Sequence, residues 1–223
     1  MKKKDDPVQL LLFDFDGTLI DSKVDIATSV NATLKTLGLS QRTPEEIFRF
    51  VGDGVKRLLL LSVGEDNLEQ YDMALQIFRE SYLRHCLDTT RMYPQIRQGL
   101  RALNGTYKAI VTNKPRDYTL RIVEGLGVSH LFAAIESPEN GVKLKPDPGM
   151  LLKVLNQLHV QPHQALMIGD STNDIHAAHA AGMKVCAVGY GYGNVEKVKA
   201  LDPNFYCETP QELLRVLSRL SCS

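Results

Sequence analysis

Short apolar runs recur along this chain, and each one stops at polar residues or glycines. The first run, Leu10–Phe13, ends at Asp14. Continuous apolar runs of this length predict strands of a sheet that is buried on both faces. Five further runs show the same pattern, at residues 108–111, 133–135, 165–168, 185–188 and 204–207.

Amphipathic stretches with helical spacing separate these runs. Because alternating strands and helices build βαβ units, the pattern predicts an α/β fold with a parallel sheet covered on both faces. Ligands of such sheets bind outside the carboxyl ends of the strands. We therefore expect the polar clusters to meet at one edge of the sheet. The predicted helices are residues 96–103, 118–126, 148–158, 174–181 and 210–220.

One long region lacks strand-like runs. Between residues 23 and 86 the apolar positions follow only helical periodicity. A helical insertion after the first strand predicts a cap over the active edge of the sheet. We expect a catalytic core of residues 1–21 and 88–223 and an all-helical cap of residues 22–87. The helices predicted in this cap are residues 26–37, 44–51, 55–63 and 68–86.

Composition restricts the classes of partner. The formal net charge is zero, which argues against a nucleic acid or an anionic membrane bound through bulk electrostatics. Lys2–Lys4 is followed at once by Asp5 and Asp6, so a solvated tail is expected there. No apolar run approaches the roughly 20 residues that span a bilayer, and no secretory signal is visible.

The four cysteines are far apart in sequence, at Cys86, Cys186, Cys207 and Cys222. This spacing fits neither a zinc site nor the dense disulfide framework of a short secreted chain. We expect free thiols in a reducing compartment, and hence a cytoplasmic protein.

Paired carboxylates follow the first apolar run. Asp14 and Asp16 are two residues apart at a strand end, where Gly17 gives the backbone the freedom to turn. Carboxylates this close repel one another unless a cation or a shared proton lies between them. Asp170 and Asp174 follow another apolar run. Ligation by oxygen alone indicates a hard cation, and few protein ligands favour magnesium over calcium.

A hydroxyl and a cation accompany these acids, at Thr112 and Lys145. Metal, ammonium, hydroxyl and loop N–H groups together are suited to a phosphoryl group. A carboxylate nucleophile can form an aspartyl-phosphate and so divide hydrolysis into two easier steps. We interpret Asp14 as the nucleophile and Asp16 as the acid and base that serves the leaving alkoxide and then water.

Four segments in order resemble the motifs of the haloacid dehalogenase superfamily of aspartate-nucleophile phosphatases. They are residues 13–22 (FDFDGTLIDS), 111–114 (VTNK), 143–148 (KLKPDP) and 169–174 (GDSTND). The resemblance implies a Rossmannoid core with a helical cap inserted after the first motif. Dehalogenases of the superfamily lack the second aspartate, whereas Asp16 is present here.

The same resemblance implies roles for single residues. Magnesium would be bound by the Asp14 carboxylate, the Asp16 backbone carbonyl and Asp170. Thr112 and Lys145 would hold phosphate oxygens, and Asp174 would steady Lys145 or the waters of the metal. Asn113 and Gly17 are expected to support these groups.

Within the superfamily the chain is most similar to the phosphoglycolate phosphatases, in Asp21-Ser22 and in residues 51–55 and 188–193. A Gly-x-Gly loop that opens a helix can present N–H groups to a carboxylate. We therefore predict a small phosphorylated metabolite such as 2-phosphoglycolate as substrate, with Gly54, Lys56 and Arg57 at its carboxylate. A plain helix–helix turn accounts for the glycines equally well.

Several alternatives remain open. They are a sugar-phosphate phosphatase, a nucleotidase, a pyrophosphatase, a β-phosphoglucomutase-like phosphotransferase and, in a different class, a non-catalytic phosphoacceptor or partner-binding relative. The protein is expected to be a monomer or a homodimer. Asp21 and Ser22 are expected to cap the first helix of the cap, and Lys114 to be a solvent-facing loop charge. Tyr190 and Tyr192 either line the cap interface or pack within their loop.

Overall fold

A computed structural model describes residues 7–138 and 142–221. Its main sheet has six parallel strands in the order β5-β4-β1-β6-β7-β8. The α/β prediction is confirmed, and all six predicted strands form within one or two residues of their expected bounds. The strands are β1 (Leu10–Phe13), β2 (Ile20–Asp21), β3 (Arg91–Met92), β4 (Tyr107–Val111), β5 (Ala134–Glu136), β6 (Ala165–Gly169), β7 (Lys184–Val188) and β8 (Phe205–Cys207).

Most of the helices alternate with the strands and cover the sheet. The first four follow one another without a strand between them and form one long helical region. The sequence correctly predicted nine of the ten α-helices described, and α9 was missed. The helices are α1 (Lys23–Thr36), α2 (Pro44–Phe50), α3 (Val55–Val63), α4 (Tyr71–His85), α5 (Ile96–Ala102), α6 (Arg116–Gly125), α7 (Gly149–Gln157), α8 (Thr172–Ala180), α9 (Val195–Ala200) and α10 (Pro210–Ser221).

The central strand β1 is completely buried, because helices cover both faces of the sheet. Leu11 and Phe13 pack in the cluster that contains α5, α6 and α10. Leu10 and Leu12 pack in the cluster that contains α7 and α8. Successive strand side chains point to opposite faces, so an unbroken apolar run is what a sheet covered on both sides requires.

The register of β1 positions the site. Phe13 lies beside Ile110 of β4 and Ile168 of β6. The three central strands therefore end at nearly the same level, and the residues that follow them share one edge of the sheet. This edge is the place where ligands of open parallel sheets bind.

Residues 22–87, called the helical segment below, contain α1 to α4 and a 3-10 helix at Glu65–Gln70. α1 packs against α4, and α3 packs against both. The antiparallel strands β2 and β3 flank the segment. Strands of two residues carry no periodicity, so this pair was not predicted.

Asp25, on α1, connects the helical segment to the chain that leaves it. Its carboxylate accepts hydrogen bonds from the backbone N–H and hydroxyl groups of both Thr89 and Thr90, at 2.6 to 3.0 Å. Burial would raise the pKa of Asp25, but these hydrogen bonds prevail and lower it. The junction between the helical segment and the chain that follows it is therefore held by the Asp25 carboxylate, both of whose oxygens accept hydrogen bonds.

Cys86, Cys186 and Cys207 are free and buried, as predicted. Sequence spacing did not reveal that Cys186 and Cys207 are close, with their Sγ atoms 3.7 Å apart. The tail at Lys2–Lys4, Asp5 and Asp6 lies outside the described residues, as does Cys222. Among the helices described, none is both long and apolar enough to cross a membrane.

Candidate active site

The predicted site residues meet at the carboxyl edge of the sheet. Asp14 follows β1, Thr112 follows β4 and Asp170 follows β6. The Asp14 N–H donates to the Ile168 carbonyl at 2.8 Å, which continues the ladder to the aspartate itself. Gly17 has φ +79°, and a Cβ placed on it would overlap the Asp170 carboxylate. Only glycine fits where this turn passes the acid.

Lys145 lies at the centre of the acidic group. Its Nζ donates to Asp14 Oδ1 at 2.8 Å, to Asp174 Oδ1 at 2.6 Å and to the Val111 carbonyl at 2.7 Å. Burial alone would lower the pKa of Lys145, but the two carboxylates raise it. The lysine is therefore held as a cation directly beside the predicted nucleophile.

Asn113 fixes the backbone of this lysine and also contacts the helical segment. Its side-chain carbonyl accepts from the Lys145 N–H at 2.8 Å. Its amide group donates to the carbonyls of Lys145 and Gly52, each at 3.0 Å. One side chain thus links the loops after β4 and β5 to the loop between α2 and α3.

Oxygen atoms of Asp14, Asp170 and Asp174 lie within 4.8 Å of one another, close enough to share a metal ion. Both oxygens of Asp174 already have partners: Oδ1 accepts from Lys145, and Oδ2 accepts from the Ser171 N–H and hydroxyl. Asp170 Oδ2 accepts from two backbone N–H groups, while among the described residues the one donor to its Oδ1 is the Thr18 hydroxyl, at 3.5 Å. Asp14 and Asp170 are therefore better placed than Asp174 to bind a cation directly.

The pKa values of Asp14 and Asp170 are both raised, because these carboxyl groups are buried and close to other acids. Burial, with the neighbouring Asp174, raises the pKa of Asp14 to about 6 against the opposing charge of Lys145. Burial, with Asp14 and Asp174, raises the pKa of Asp170 to about 8. Carboxylates crowded in this way are suited to a hard divalent ion, which would relieve their repulsion.

Asp16 makes a different set of contacts. Its carboxylate accepts from the Ser22 hydroxyl and, through both oxygens at 3.0 Å, from Lys114 Nζ. The prediction of a solvent-facing Lys114 is wrong, because this residue is only 7% exposed. Ser22 stands at the N-cap of α1, as predicted, but its hydroxyl donates to Asp16 and forms no capping bond with the helix backbone.

The loop after β7 encloses Asp170 and reaches the helical segment. The N–H groups of Tyr192 and Gly193 donate to Asp170 Oδ2 at 2.6 and 3.1 Å. The Tyr192 hydroxyl accepts from the Ser22 N–H at 2.6 Å. Of the two possibilities for this tyrosine, the structure favours the cap interface, and the side chain also lines the cavity.

A cavity lies between the sheet edge and the helical segment. Gly54 contributes to its wall, whereas Lys56 and Arg57 are exposed and are not among the described residues that line it. Apart from the Tyr82 hydroxyl, the side chains that the helical segment contributes to the wall are apolar. They are Ile26, Val51, Val55, Leu58, Phe78 and the ring of Tyr82.

Sequence reasoning gave no role in this site to three of its residues: Ser22, Tyr82 and Lys114. Lys114 directly follows Thr112 and Asn113 at a strand end, a position that allows a role in the site but does not show whether the side chain faces water or Asp16. Tyr82 was assigned only to the apolar face of a helix, and nothing in that pattern separates a cavity-lining ring from one buried in the core.

The sequence and the fold have counterparts among known proteins. The haloacid dehalogenase-like hydrolase family model matches residues 11–188. The chain belongs to this family, so the membership predicted from the four motifs is confirmed. Individual relatives narrow the class of hydrolase to the phosphatases.

A phosphoglycolate phosphatase of Nitrosospira multiformis is 34% identical over 222 residues, covering 96% of this chain and 98% of that protein. One of Psychrobacter arcticus is 40% identical over 205 residues, covering 87% and 89%. A crystal structure named as a predicted phosphoglycolate phosphatase from Haemophilus somnus matches with a TM-score of 0.85 at 29% identity, covering 93% and 97%. The assignment of this chain to the phosphatases is confirmed by these matches.

Proposed function

We propose that the protein is a magnesium-dependent phosphomonoester hydrolase that acts through an aspartyl-phosphate on Asp14, with 2-phosphoglycolate or a similar small metabolite as substrate. One observation carries the proposal: Asp14 lies between the ammonium of Lys145 and the carboxylate of Asp170, at the open edge of the sheet. The same geometry supports residues 22–87 as a cap over a core formed by the remaining residues.

In the first step Asp14 attacks phosphorus, and the bond from phosphorus to the ester oxygen breaks. The departing oxygen takes a proton from Asp16. In the second step Asp16 removes a proton from water, which attacks the aspartyl-phosphate and releases phosphate and free Asp14. General acid–base help of this kind is typically worth about 10²–10⁴-fold in rate. Lys145 and Thr112 would hold phosphate oxygens during both steps.

Magnesium would be held by Asp14, Asp170 and the Asp16 carbonyl. The fit rests on the two raised carboxylate pKa values and on the all-oxygen donor set. When bound, the ion supplies positive charge that lowers the repulsion between the phosphoryl group and the carboxylates. Asp174 serves Lys145 in this arrangement, since its oxygens are already occupied.

The choice of substrate is supported by the cavity and by the relatives. Gly54 and Val55 line the cavity at the N-terminus of α3. Unpaired N–H groups and the helix dipole favour an anion at such a position, and phosphoglycolate carries a carboxylate remote from its phosphate. Sugar hydroxyls would be left without partners against the apolar wall, which disfavours hexose phosphates.

A substrate panel tests this function. Phosphate release with magnesium is measured for phosphoglycolate, hexose phosphates, nucleotides and pyrophosphate. We expect the highest kcat/KM for phosphoglycolate, and no measurable turnover for Asp14→Asn. The exposed Asp88, which pairs with His85 on the surface, provides the control Asp88→Asn with unchanged turnover. Turnover that survives in Asp14→Asn would disprove the nucleophile, and a preferred hexose phosphate would disprove the substrate.

A further inference from the structure

Lys114 is a buried cation whose ammonium group contacts the carboxylate of Asp16. Its side chain is 4% exposed. Nζ donates to both oxygens of Asp16 at 3.0 Å and to the Tyr82 hydroxyl at 2.7 Å. Nζ also lies over the Tyr82 ring, 4.6 Å from its centroid. A lysine is rarely buried without a specific partner, because desolvation of its charge is costly.

The Lys114 contacts connect three parts of the fold. Lys114 follows β4, Asp16 follows β1 and Tyr82 belongs to α4 of the helical segment. The Tyr82 ring is itself fixed, stacked on Phe78 at 5.4 Å and edge-on to Tyr118 at 5.1 Å. The position of the ammonium is thus determined from both sides of the cavity.

Asp16 has few other fixed contacts. Its remaining donor among the described residues is the Ser22 hydroxyl on Oδ1. Without Lys114 the carboxylate could rotate about its Cα–Cβ bond, since a single hydroxyl does not determine both oxygens. A misplaced acid costs rate even when it remains in the site, because proton transfer requires a short, aligned contact with the reacting oxygen.

We propose that Lys114 is a positioning residue that holds the Asp16 carboxylate in its catalytic orientation, and that Tyr82 makes this orientation depend on the docked helical segment. The inference rests on the proposed function in one respect, the acid–base role of Asp16. Lys114 itself does not touch the nucleophile, so its removal leaves the attack of Asp14 on phosphorus intact.

This division of roles has a kinetic signature. The p-nitrophenolate ion leaves phosphorus without protonation, whereas the alkoxide of glycolate needs the proton of Asp16. The second step needs Asp16 for every substrate, since water must be deprotonated. Loss of positioning therefore leaves the first step with p-nitrophenyl phosphate fast, and slows the second step with both substrates.

The test uses Lys114→Met, which keeps the length of the side chain and removes the charge. With p-nitrophenyl phosphate we expect a burst of about one equivalent of p-nitrophenol, followed by steady-state turnover about 10²-fold below that of the unaltered protein. With phosphoglycolate we expect no burst, a kcat lower by about 10²-fold or more, and a KM changed by less than about threefold.

Three further variants complete the experiment. Asp16→Asn should reproduce the burst and slow turnover, and Lys114→Arg should recover part of the loss. Tyr82→Phe keeps the ring and removes the acceptor, so a smaller loss of about 3- to 10-fold is expected, typical of one hydrogen bond. Lys153→Met is the control, because Lys153 pairs with Glu136 and neither residue is among the described residues that line the cavity, and it should behave as the unaltered protein.

Three outcomes would overturn the proposal. A higher KM at unchanged kcat in Lys114→Met would make the lysine a substrate ligand, and an equal loss of burst and turnover would make its role structural. An Asp16→Asn variant that lacks the burst would show that Asp16 does not have the assumed role. Failure of the proposed function would look different, since Asp14→Asn would then retain turnover whatever happens at Lys114.

Discussion

The edge of the sheet and the helical segment face each other across one cavity, yet they offer opposite chemistry. The sheet edge contributes Asp14, Asp170 and Lys145, which are ionisable groups held by short hydrogen bonds and ion pairs. The helical segment contributes chiefly apolar side chains such as Val55 and Leu58. The difference supports our proposal that the sheet edge performs the reaction and that the helical segment selects the leaving group.

Substitution of Lys145 should give the largest effect on the charged side. Lys145→Ala removes the ammonium from both Asp14 and Asp174, so the charge that would face the phosphoryl group is lost. We expect kcat/KM for phosphoglycolate to fall by about 10³-fold, the upper range for one electrostatic group in an active site. Steady-state kinetics measure this. A fall of less than tenfold would mean that the reaction does not depend on the charges of the sheet edge.

The affinity for magnesium should depend on pH, because Asp170 at the same edge of the sheet takes up a proton. Below pH 8 the Asp170 carboxyl, with its pKa raised to about 8, carries a proton in the metal-free protein that a cation must displace. Affinity should therefore fall by about tenfold per pH unit between pH 8 and pH 6, with about one proton released per ion at pH 7. Calorimetry in two buffers of different ionisation heat counts the protons. An affinity that stays constant over this range would contradict the assignment of Asp170.

The apolar wall should control selectivity more than rate. Val55→Thr places a hydroxyl in the wall at nearly constant volume. We expect the ratio of kcat/KM for a hexose phosphate to that for phosphoglycolate to rise by roughly tenfold, since a substrate hydroxyl then finds a partner. The substrate panel measures the ratio, with Leu152→Thr at an exposed position of α7 as a control. An unchanged ratio would show that this wall does not contact the leaving group.

The smallest effect is expected outside the cavity. Lys56 and Arg57 lie on the helical segment but remain exposed to solvent. Screened surface charges contribute little, so Lys56→Ala and Arg57→Ala should change kcat/KM for phosphoglycolate by less than about threefold. If kcat/KM of either variant fell by more than tenfold, the prediction that Lys56 and Arg57 lie at the substrate carboxylate would be supported. The helical segment would then contribute charge to the site.

The success of the sequence predictions followed the strength of local periodicity. Six buried strands were predicted correctly because a short, continuous apolar run bounded by polar residues is typical of a strand covered on both faces. The strands β2 and β3 and the short helix α9 were missed because two to six residues hold too little periodicity. Loop side chains were hardest: Lys114 has the same local sequence whether it faces water or Asp16.

By itself the sequence determined the sheet, the helical insertion and the gathering of Asp14, Thr112 and Asp170 at one edge. Neighbouring parallel strands end at the same edge, so residues that directly follow them meet there. The position of Lys145, within the loop after β5, depends instead on its contacts with Asn113. Tertiary structure alone decided the partners of Asp16 and the apolar character of the opposite wall. Those depend on how α1, α3 and α4 dock over the sheet, and contacts between residues as distant as Tyr82 and Lys114 leave no local pattern in the chain.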